Sequence, residues 1–367
     1  MSWPLKEGIY LDENYNLYYP PGASHTDGIP EELMREIIDP HWSQFPPQNP
    51  LYSHGLGIIY ALLFLISLPG HITVVYVFLK NKEVRAPQNL YFFSLACSDL
   101  GFMFFECLPV IVNIFVQRYW MYGVLGCRLY ACAGAIFGTT SMLIVAVIAY
   151  DRYRVVTKGC TAKRLTFSQA FLNVLLCWVY SIAVSVPPFF GWGAYKAEGL
   201  LNTCSYDYIA RDFNRMSFMV HAFLFNYFIP LIFVIFFYYK VIVSAHLQAT
   251  SLAGQEQGGQ EDEKHIDETK VIKASMTSAL IWFFAWTPYA ITTMVPFLGD
   301  MSIVTPLATQ LPACFAKLSS ILNPMVYAFS HPAYRRAIAA ECPCFGLVVD
   351  VREKEKTIGG TIMTNLN

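Results

Sequence analysis

The chain has 367 residues, of which 55% are hydrophobic and 14% charged, and its mean hydropathy is +0.40. A soluble domain carries roughly 25% charged residues, so this composition excludes an ordinary soluble protein and favours a membrane protein. The net charge of −1 predicts no nucleic-acid partner. The ten cysteines are scattered and form no CxxC metal pattern.

The first 50 residues carry eight acidic and two basic residues and eight prolines. They predict an extracellular, mostly irregular tail rather than a signal peptide, because the first apolar run begins only near Leu56. The end of this tail, around His41 and Trp42, is a candidate to fold against the neighbouring part of the chain.

Seven apolar segments long enough to cross a bilayer follow, and we call them spans one to seven. They are predicted at 55–79, 88–114, 124–149, 168–190, 217–241, 275–297 and 304–328. The fold class is therefore an all-α membrane protein with a seven-transmembrane helix bundle over 51–329. Basic connectors at 80–85 and 152–164 place the N-terminus outside by the positive-inside rule.

A short amphipathic eighth helix is predicted over 330–341, because apolar and basic residues alternate there at helical spacing. A cytoplasmic tail follows over 342–367. Cys342 and Cys344 are candidates for palmitoylation, with two ordinary free cysteines as the alternative.

Lys317 is the only charged residue of the apolar stretch 306–327 in span seven. An ammonium near the middle of a bilayer costs ~3 kcal/mol on insertion scales, so we expect Lys317 to have a structural or functional role there. The lysine lies about 15 Å of helix from either end of the stretch, which disfavours snorkelling to the headgroups. Pairing with a buried acid stays open, and a desolvated amine also suits Schiff-base chemistry with an aldehyde.

Cys127 opens span three, and Asp151-Arg152-Tyr153 closes it 24 residues later. At ~1.5 Å per residue these ends lie at opposite membrane faces, so Cys127 is extracellular and its predicted disulfide partner is Cys204. Arg152 could pair with Asp151, or with Glu268 of span six to hold the cytoplasmic face shut. An arginine that merely faces water fits the spacing equally well.

Asp99 in span two and Asn323 in span seven predict a buried polar cluster that includes Ser141, because an unpartnered buried aspartate is costly. Pro324 permits a kink in span seven. Prolines with the same effect stand in spans five and six, at Pro230 and Pro288.

Taken together, the chain resembles the rhodopsin-class G-protein-coupled receptors over roughly 55–345. The resemblance is carried by Cys127, Asp151-Arg152-Tyr153, Trp178, Pro230, Trp286-Thr287-Pro288 and Asn323-Pro324-Met325-Val326-Tyr327. Lys317 stands six residues before Asn323, where opsins carry their retinal-binding lysine. A further set resembles arthropod-type rhabdomeric, Gq-linked visual opsins: Pro40-His41-Trp42, Glu198-Gly199-Leu200, Tyr130 and His331-Pro332-Ala333-Tyr334-Arg335.

The resemblance implies that Lys317 binds retinal, as the 11-cis form or a hydroxylated or dehydro relative, through a Schiff base. A protonated Schiff base is a buried cation that needs a counterion, and the resemblance implies Glu198. Glu106 is a second candidate, because it follows Asp99 by seven residues on the same face of span two. An acid near the outer interface is the alternative for Glu106. The other predicted pocket residues are Tyr130, Gly138, Phe223, Tyr227, Trp286 and Tyr289.

The resemblance also implies the partners. Photoisomerisation would push on Trp286, swing span six outward and free Arg152, which opens a cleft for a heterotrimeric G protein, with Gq as the predicted class. The predicted switch residues are Asp151, Arg152, Tyr153, Glu268, Asn323, Pro324 and Tyr327. Arrestin is a further candidate partner, although the tail offers few phosphorylation sites.

Three features depart from the family pattern. His71 stands where the family has asparagine, the third inner loop over 249–268 is rich in Gly, Gln and acidic residues, and Ala333 replaces the usual lysine. The last two weaken the assignment to Gq. Two other functions stay open: a receptor for a diffusible small molecule with an unmodified Lys317, and a retinal photoisomerase that signals weakly. A transporter is disfavoured because no internal repeat is visible.

Overall fold

In the computed structural model, the described residues are 22–158, 163–252, 259–330 and 332–341, with two short strands, Tyr10–Leu11 (β1) and Leu17–Tyr18 (β2). Side chains at 248–252, 259–268, 325, 327–330, 332–333 and 339–341 lie outside the described part.

The predicted seven-helix bundle is confirmed. Span one is α2 (Pro50–Lys80), and span two joins α3 (Asn89–Phe102), a π-helical turn (Met103–Cys107) and α4 (Leu108–Val116). Span three is α5 (Gly123–Lys158), and span four is α6 (Phe167–Ser185) with the 3-10 turn Pro187–Phe190. Span five joins α7 (Phe213–Phe223), a π-helical turn (Leu224–Phe228) and α8 (Ile229–Leu252). Span six is α9 (Gly259–Met294) with the 3-10 turn Val295–Leu298, and span seven joins α10 (Pro306–Ala316) and α11 (Leu318–Ser330).

Among the described residues, six helical segments are long and apolar enough to cross a membrane by length and composition. Span seven is missing from these six because it is divided at Lys317 into two shorter helices. Large apolar side chains are exposed on the outside of the bundle, as expected of residues that face lipid. Examples are Leu62, Leu175, Ile235 and Phe284.

Spans three, five and six are longer than predicted. Span three continues past residue 149 to Lys158, and span six begins 16 residues before the predicted 275. A hydropathy pattern ends where the helix leaves the apolar layer, but the backbone hydrogen bonds of a helix can continue into water. The predicted boundaries therefore describe the membrane layer and not the helices.

Each π-helical turn ends two residues before a proline. Pro109 follows the turn in span two and Pro230 follows the turn in span five. Proline has no N–H to bond the carbonyl four residues earlier, which interrupts the regular helix at this point. In span two the irregular turn contains Glu106, so the direction of the Glu106 side chain depends on this distortion.

Residues 22–49 fold over one end of the bundle. The segment around His41 and Trp42 does so as expected, whereas the prediction of an irregular tail is wrong for the helical residues before it. Helix α1 (Glu31–Glu36) is followed by the 3-10 turn Pro40–Gln44, and Ile37 and Trp42 are fully buried. Beneath them lies a hairpin of β3 (Tyr195–Glu198) and β4 (Thr203–Tyr206). We call this the hairpin end. The burial of these apolar side chains explains why an acidic, proline-rich segment is ordered.

The predicted eighth helix is confirmed as α12 (Pro332–Glu341). Tyr334 and Ile338 are buried against the bundle, whereas Arg336 is exposed. This division gives the helix the amphipathic character that the sequence indicates.

Candidate functional site

Lys317 occupies the break in span seven, and its side chain is buried in the bundle. Its Nζ lies 3.4 Å from Oε2 of Glu106 and 3.5 Å from the carbonyl oxygen of Ala313. The rings of Tyr60 and Phe102 each lie 5.2 Å from the same nitrogen. The ammonium is therefore matched by one carboxylate and two aromatic faces, which offsets the cost of its burial.

Glu106 is presented to the lysine by the π-helical turn of span two. Its Oε1 has no hydrogen-bond partner among the described residues, and Tyr130 donates its hydroxyl to the Glu106 carbonyl oxygen at 3.2 Å. Gly134 of span three provides the space, since a Cβ there would lie 2.5 Å from Oε1. A larger residue at this position would displace the carboxylate of Glu106.

Glu198 lies on β3, at the hairpin end of the same cavity. Tyr208 donates a hydrogen bond to its Oε2 at 3.0 Å. Burial raises the pKa of this carboxyl group to about 7, although the Tyr208 hydrogen bond opposes the rise. Within the described chain, Lys317 makes its ion pair with Glu106 and not with Glu198.

The predicted disulfide between Cys127 and Cys204 is confirmed, with the two Cα atoms 5.5 Å apart. Cys204 pairs with Ala197 across the hairpin, next to Glu198. The disulfide therefore ties the hairpin to the start of span three and fixes Glu198 over the cavity.

The structure brings the predicted pocket residues together around one interior cavity. The cavity is lined by Lys317, Glu106, Glu198, Tyr130, Gly138, Phe223, Tyr227, Trp286 and Tyr289. Phe223 and Tyr227 stack with ring centroids 5.8 Å apart, and Tyr289 shares a hydrogen bond with Ser205 of β4. The wall is mostly aromatic and apolar, and its acidic and basic groups are Lys317, Glu106 and Glu198.

Trp286 connects the cavity to span seven. Its Nε1 donates to Oγ of Ser319 at 3.2 Å, and its ring stacks on Trp282 at 5.1 Å. Gly138 permits this position, because a Cβ there would lie 2.9 Å from the Trp286 ring. A change of cavity shape at Trp286 would therefore act on Ser319, two residues from Lys317.

The predicted polar cluster below the cavity is confirmed. Asp99 accepts hydrogen bonds from Ser141 at 2.8 Å and from Asn323 at 2.8 Å. His71 joins it from span one: its Nε2 lies 2.6 Å from the Ser320 carbonyl oxygen and 3.8 Å from the Asp99 carboxylate. The histidine that departs from the family pattern thus replaces the expected amide with a larger, titratable contact.

At the opposite end of the bundle, Arg152 forms an ion pair with Asp151, which also lies 3.6 Å from a guanidinium nitrogen of Arg154. The ring of Tyr153 stacks on Phe237 of span five at 5.4 Å. The partner predicted for Arg152 across the bundle cannot be placed, because the Glu268 side chain lies outside the described residues. The same holds for the Tyr327 side chain and for Cys342 and Cys344.

Sequence reasoning missed several groups around the lysine. Phe102 and Trp282 could have been found, because each stands four residues before a predicted site residue on the same helix face. Tyr60 and Tyr208 come from span one and the second outer loop, and their contacts with Lys317 and Glu198 depend on tertiary packing alone.

Comparison with known proteins identifies the class. Residues 70–327 match the model of the rhodopsin family of seven-transmembrane receptors, and the chain belongs to this family. Within it, the relatives are opsins. A compound eye opsin of Hemigrapsus sanguineus is 37% identical over 89% of this chain and 88% of its own length. Opsin-1 of Manduca sexta is 36% identical over 93% of this chain and 90% of its own.

A solved structure gives the same answer. The crystal structure of squid rhodopsin superimposes with a TM-score of 0.78 at 30% sequence identity, covering 89% of this chain and 91% of that one. The protein is therefore a multi-pass membrane receptor of the opsin kind rather than an enzyme. This membership implies a retinal chromophore, a response to light and a G protein as partner.

Proposed function

We propose that the protein is a light-sensing receptor of the plasma membrane that binds retinal through a Schiff base on Lys317, with its N-terminus outside the cell. The chromophore would be 11-cis-retinal or a hydroxylated or dehydro relative. The observation that supports this best is the buried amine of Lys317 at one end of an aromatic cavity, in a chain of the opsin family.

The residues present fit this group. When bound, retinal supplies a light-absorbing polyene and an aldehyde carbon that can join to an amine. The aromatic wall formed by Phe223, Tyr227 and Trp286 suits a long apolar molecule. The unpartnered Oε1 of Glu106 leaves a buried acceptor beside the lysine nitrogen. Gly138 keeps the middle of the cavity free of a side chain.

The chain's own residues have distinct tasks in this proposal. Glu106 supplies negative charge at the lysine nitrogen, and Glu198 is the second carboxyl group of the site. The hairpin, tied by its disulfide, covers the cavity and excludes water. Trp286 transmits a change of cavity shape to Ser319 and so to span seven, where Asn323 and Asp99 meet.

We also propose that the activated receptor engages a heterotrimeric G protein of the Gq class, and then arrestin. The resemblance to rhabdomeric opsins supports Gq, whereas the acidic loop 249–268 and Ala333 depart from their pattern. In the structure Arg152 is paired with Asp151, and activation would free it for the partner. A nucleotide-exchange assay with purified Gq, Gi and Gs proteins tests this: light-dependent exchange on Gi or Gs alone would contradict the assignment.

The test of the function is reconstitution. The full chain is expressed in membranes, supplied with 11-cis-retinal, and its absorption spectrum is recorded before and after light and after acid denaturation. A visible pigment that acid converts to a protonated retinal adduct is expected, and Lys317→Ala should form none. The matched control is Lys196→Ala, which removes a lysine of the hairpin whose Nζ donates to the Glu36 carbonyl oxygen.

Other outcomes point to other functions. A wild-type chain that forms no pigment would end the opsin proposal and favour a receptor for a diffusible molecule. Rapid release of all-trans-retinal after light, without nucleotide exchange on any G protein, would favour a photoisomerase. A Lys317→Ala variant that keeps the same acid-stable adduct would show that the attachment site is wrong.

A further inference from the structure

The site contains two buried carboxyl groups and one buried amine, Glu106, Glu198 and Lys317. A single cation needs one anion, and a second anion nearby would repel the first in a medium of low dielectric constant. One of the two carboxyl groups should therefore be ionised and the other neutral, and their surroundings indicate which.

Glu106 has the surroundings of the ionised group. Its Oε2 lies 3.4 Å from the Lys317 nitrogen, and it is the only carboxylate within 4 Å of that nitrogen in the described part of the chain. Lys317 donates a hydrogen bond to its Oε2, and the neutral phenol of Tyr130 is a further neighbour of the carboxyl group. The positive charge beside Glu106 is that of Lys317, and loss of the Glu106 charge would leave this cation unpaired.

Three features of the structure place the Glu106 carboxylate close to Lys317. The π-helical turn before Pro109 carries Glu106, Gly134 leaves the space for Oε1, and Tyr130 holds the Glu106 backbone carbonyl. Because these contacts come from two different spans, the approach of the carboxylate to Lys317 belongs to the packing of the bundle. It does not result from a flexible acidic side chain that finds a nearby cation.

Glu198 has the surroundings of the neutral group. Its described partner is a neutral phenol, Tyr208, and it makes no ion pair with Lys317. Burial raises its pKa to about 7; the Tyr208 hydrogen bond and the charge of Lys317 oppose this rise, and the charge of Glu106 adds to it. A protonated Glu198 also avoids placing a second negative charge in the same cavity.

We infer that Glu106 carries the negative charge that balances the cation on Lys317 in the dark, and that Glu198 is a neutral, hydrogen-bonded acid in the same state. This inference rests on the proposed function, and it gives Glu106 the counterion role that the resemblance to arthropod-type opsins implies for Glu198. The negative charge then comes from span two, inside the bundle, rather than from the hairpin that covers it.

The first experiment compares Glu106→Gln with Glu198→Gln in the reconstituted pigment. Each amide keeps the shape of the side chain and removes its charge. In Glu106→Gln the pH at which visible absorption is lost should fall by ~2 units or more, so that the pigment absorbs in the near ultraviolet at neutral pH. In Glu198→Gln that pH should move by less than ~1 unit. The reverse order of the two shifts would overturn the inference.

The conservative variant Glu106→Asp controls for a folding defect in Glu106→Gln. Glu106→Asp keeps the charge, so it should retain visible absorption with a shifted maximum. If Glu106→Asp and Glu106→Gln both keep the wild-type pH midpoint, the charge of Glu106 is not required and the inference fails. A wild-type chain that forms pigment, with Lys317→Ala as the blank, separates this failure from a failure of the proposed function.

The second experiment needs no retinal. Infrared spectra of the retinal-free protein are recorded about one pH unit below the Glu198 pKa of about 7. Glu198→Gln should remove a carbonyl band of a protonated carboxylic acid, whereas Glu106→Gln should remove a carboxylate band. Loss of the protonated-acid band in Glu106→Gln instead would overturn the assignment, whatever the pigment shows.

Discussion

At the scale of single residues, the described part of the membrane interior contains ionisable groups in two polar clusters. Lys317 is matched with Glu106, and Asp99 with Asn323 and His71. Each group would be expensive alone in hydrocarbon, so each carries a partner within a few ångströms. The two clusters are joined along span seven, because Ser319 bonds Trp286 and its neighbour Ser320 bonds Asp99 at 3.4 Å.

His71 gives a prediction at this scale. His71→Leu removes the buried hydrogen bond to the Ser320 carbonyl oxygen and a polar neighbour of Asp99, so we expect a loss of about 1–3 kcal/mol in unfolding free energy. Ser67→Ala is the matched control, because Ser67 donates to the same oxygen at a longer distance of 3.4 Å. Thermal unfolding in detergent measures both variants. Equal losses would show that His71 has no special part in holding this carbonyl group.

At the scale of elements, the irregular parts of the helices place the functional groups. The π-helical turn of span two carries Glu106, and the break of span seven carries Lys317. A regular α-helix advances about 100° per residue, so one extra residue in a turn changes which side chain faces the cavity. The two members of the ion pair therefore both lie where a helix departs from regular geometry.

Pro109 gives a prediction at the scale of elements. Pro109→Ala restores an N–H and allows span two to continue as a regular helix, which changes the direction of Glu106 and lengthens its contact with Lys317. We expect a loss of about 3 kcal/mol, because breaking a buried ion pair leaves an uncompensated charge. Pro69→Ala is the control, since Pro69 lies inside the continuous helix α2 with no π-helical turn. Unchanged stability and an unchanged pigment spectrum in Pro109→Ala would contradict this account of the turn.

At the scale of the whole molecule, the N-terminal segment closes the hairpin end. The amide of Ala197 donates to the Ile37 carbonyl oxygen at 2.8 Å, and Nε2 of His41 lies 2.7 Å from the Val304 carbonyl oxygen. His25 is buried, with Nε2 3.2 Å from the Gly199 carbonyl oxygen in the hairpin. The segment thus joins the hairpin and the connection between spans six and seven into one cover.

His25 makes this cover sensitive to acid. The pKa of His25 is lowered from 6.5 to about 4, mainly by burial; the hydrogen bond to the Gly199 carbonyl oxygen opposes this shift and the charge of Arg118 adds to it. The undocked segment therefore binds a proton more readily than the docked one. The free energy of docking of the N-terminal segment is at its full value above pH 6.5. It is reduced as the pH falls from 6.5 towards 4, by at most ~3 kcal/mol.

Hydrogen exchange of the Ala197 amide as a function of pH measures this effect, because that amide is protected by the docked segment. We expect its protection to fall in acid in the wild type, after correction for the intrinsic exchange rate. In His25→Gln the protection should be weaker at neutral pH and nearly independent of pH. A wild-type protein whose protection is constant from pH 7 to 4 would contradict the prediction.

The seven spans, the eighth helix, the disulfide and Lys317 could be predicted from the chain alone, since hydropathy, spacing and family motifs are local properties. The spacing from Asp99 also indicated Glu106, and the sequence suggested that the His41–Trp42 segment folds against the bundle. The contact between one particular carboxylate and Lys317 could not be predicted, because it depends on the π-helical turn of span two, the break of span seven and the space at Gly134. The docking of the whole of residues 22–49 could not be predicted either, since their apolar side chains are buried only against the hairpin and bundle of the folded chain.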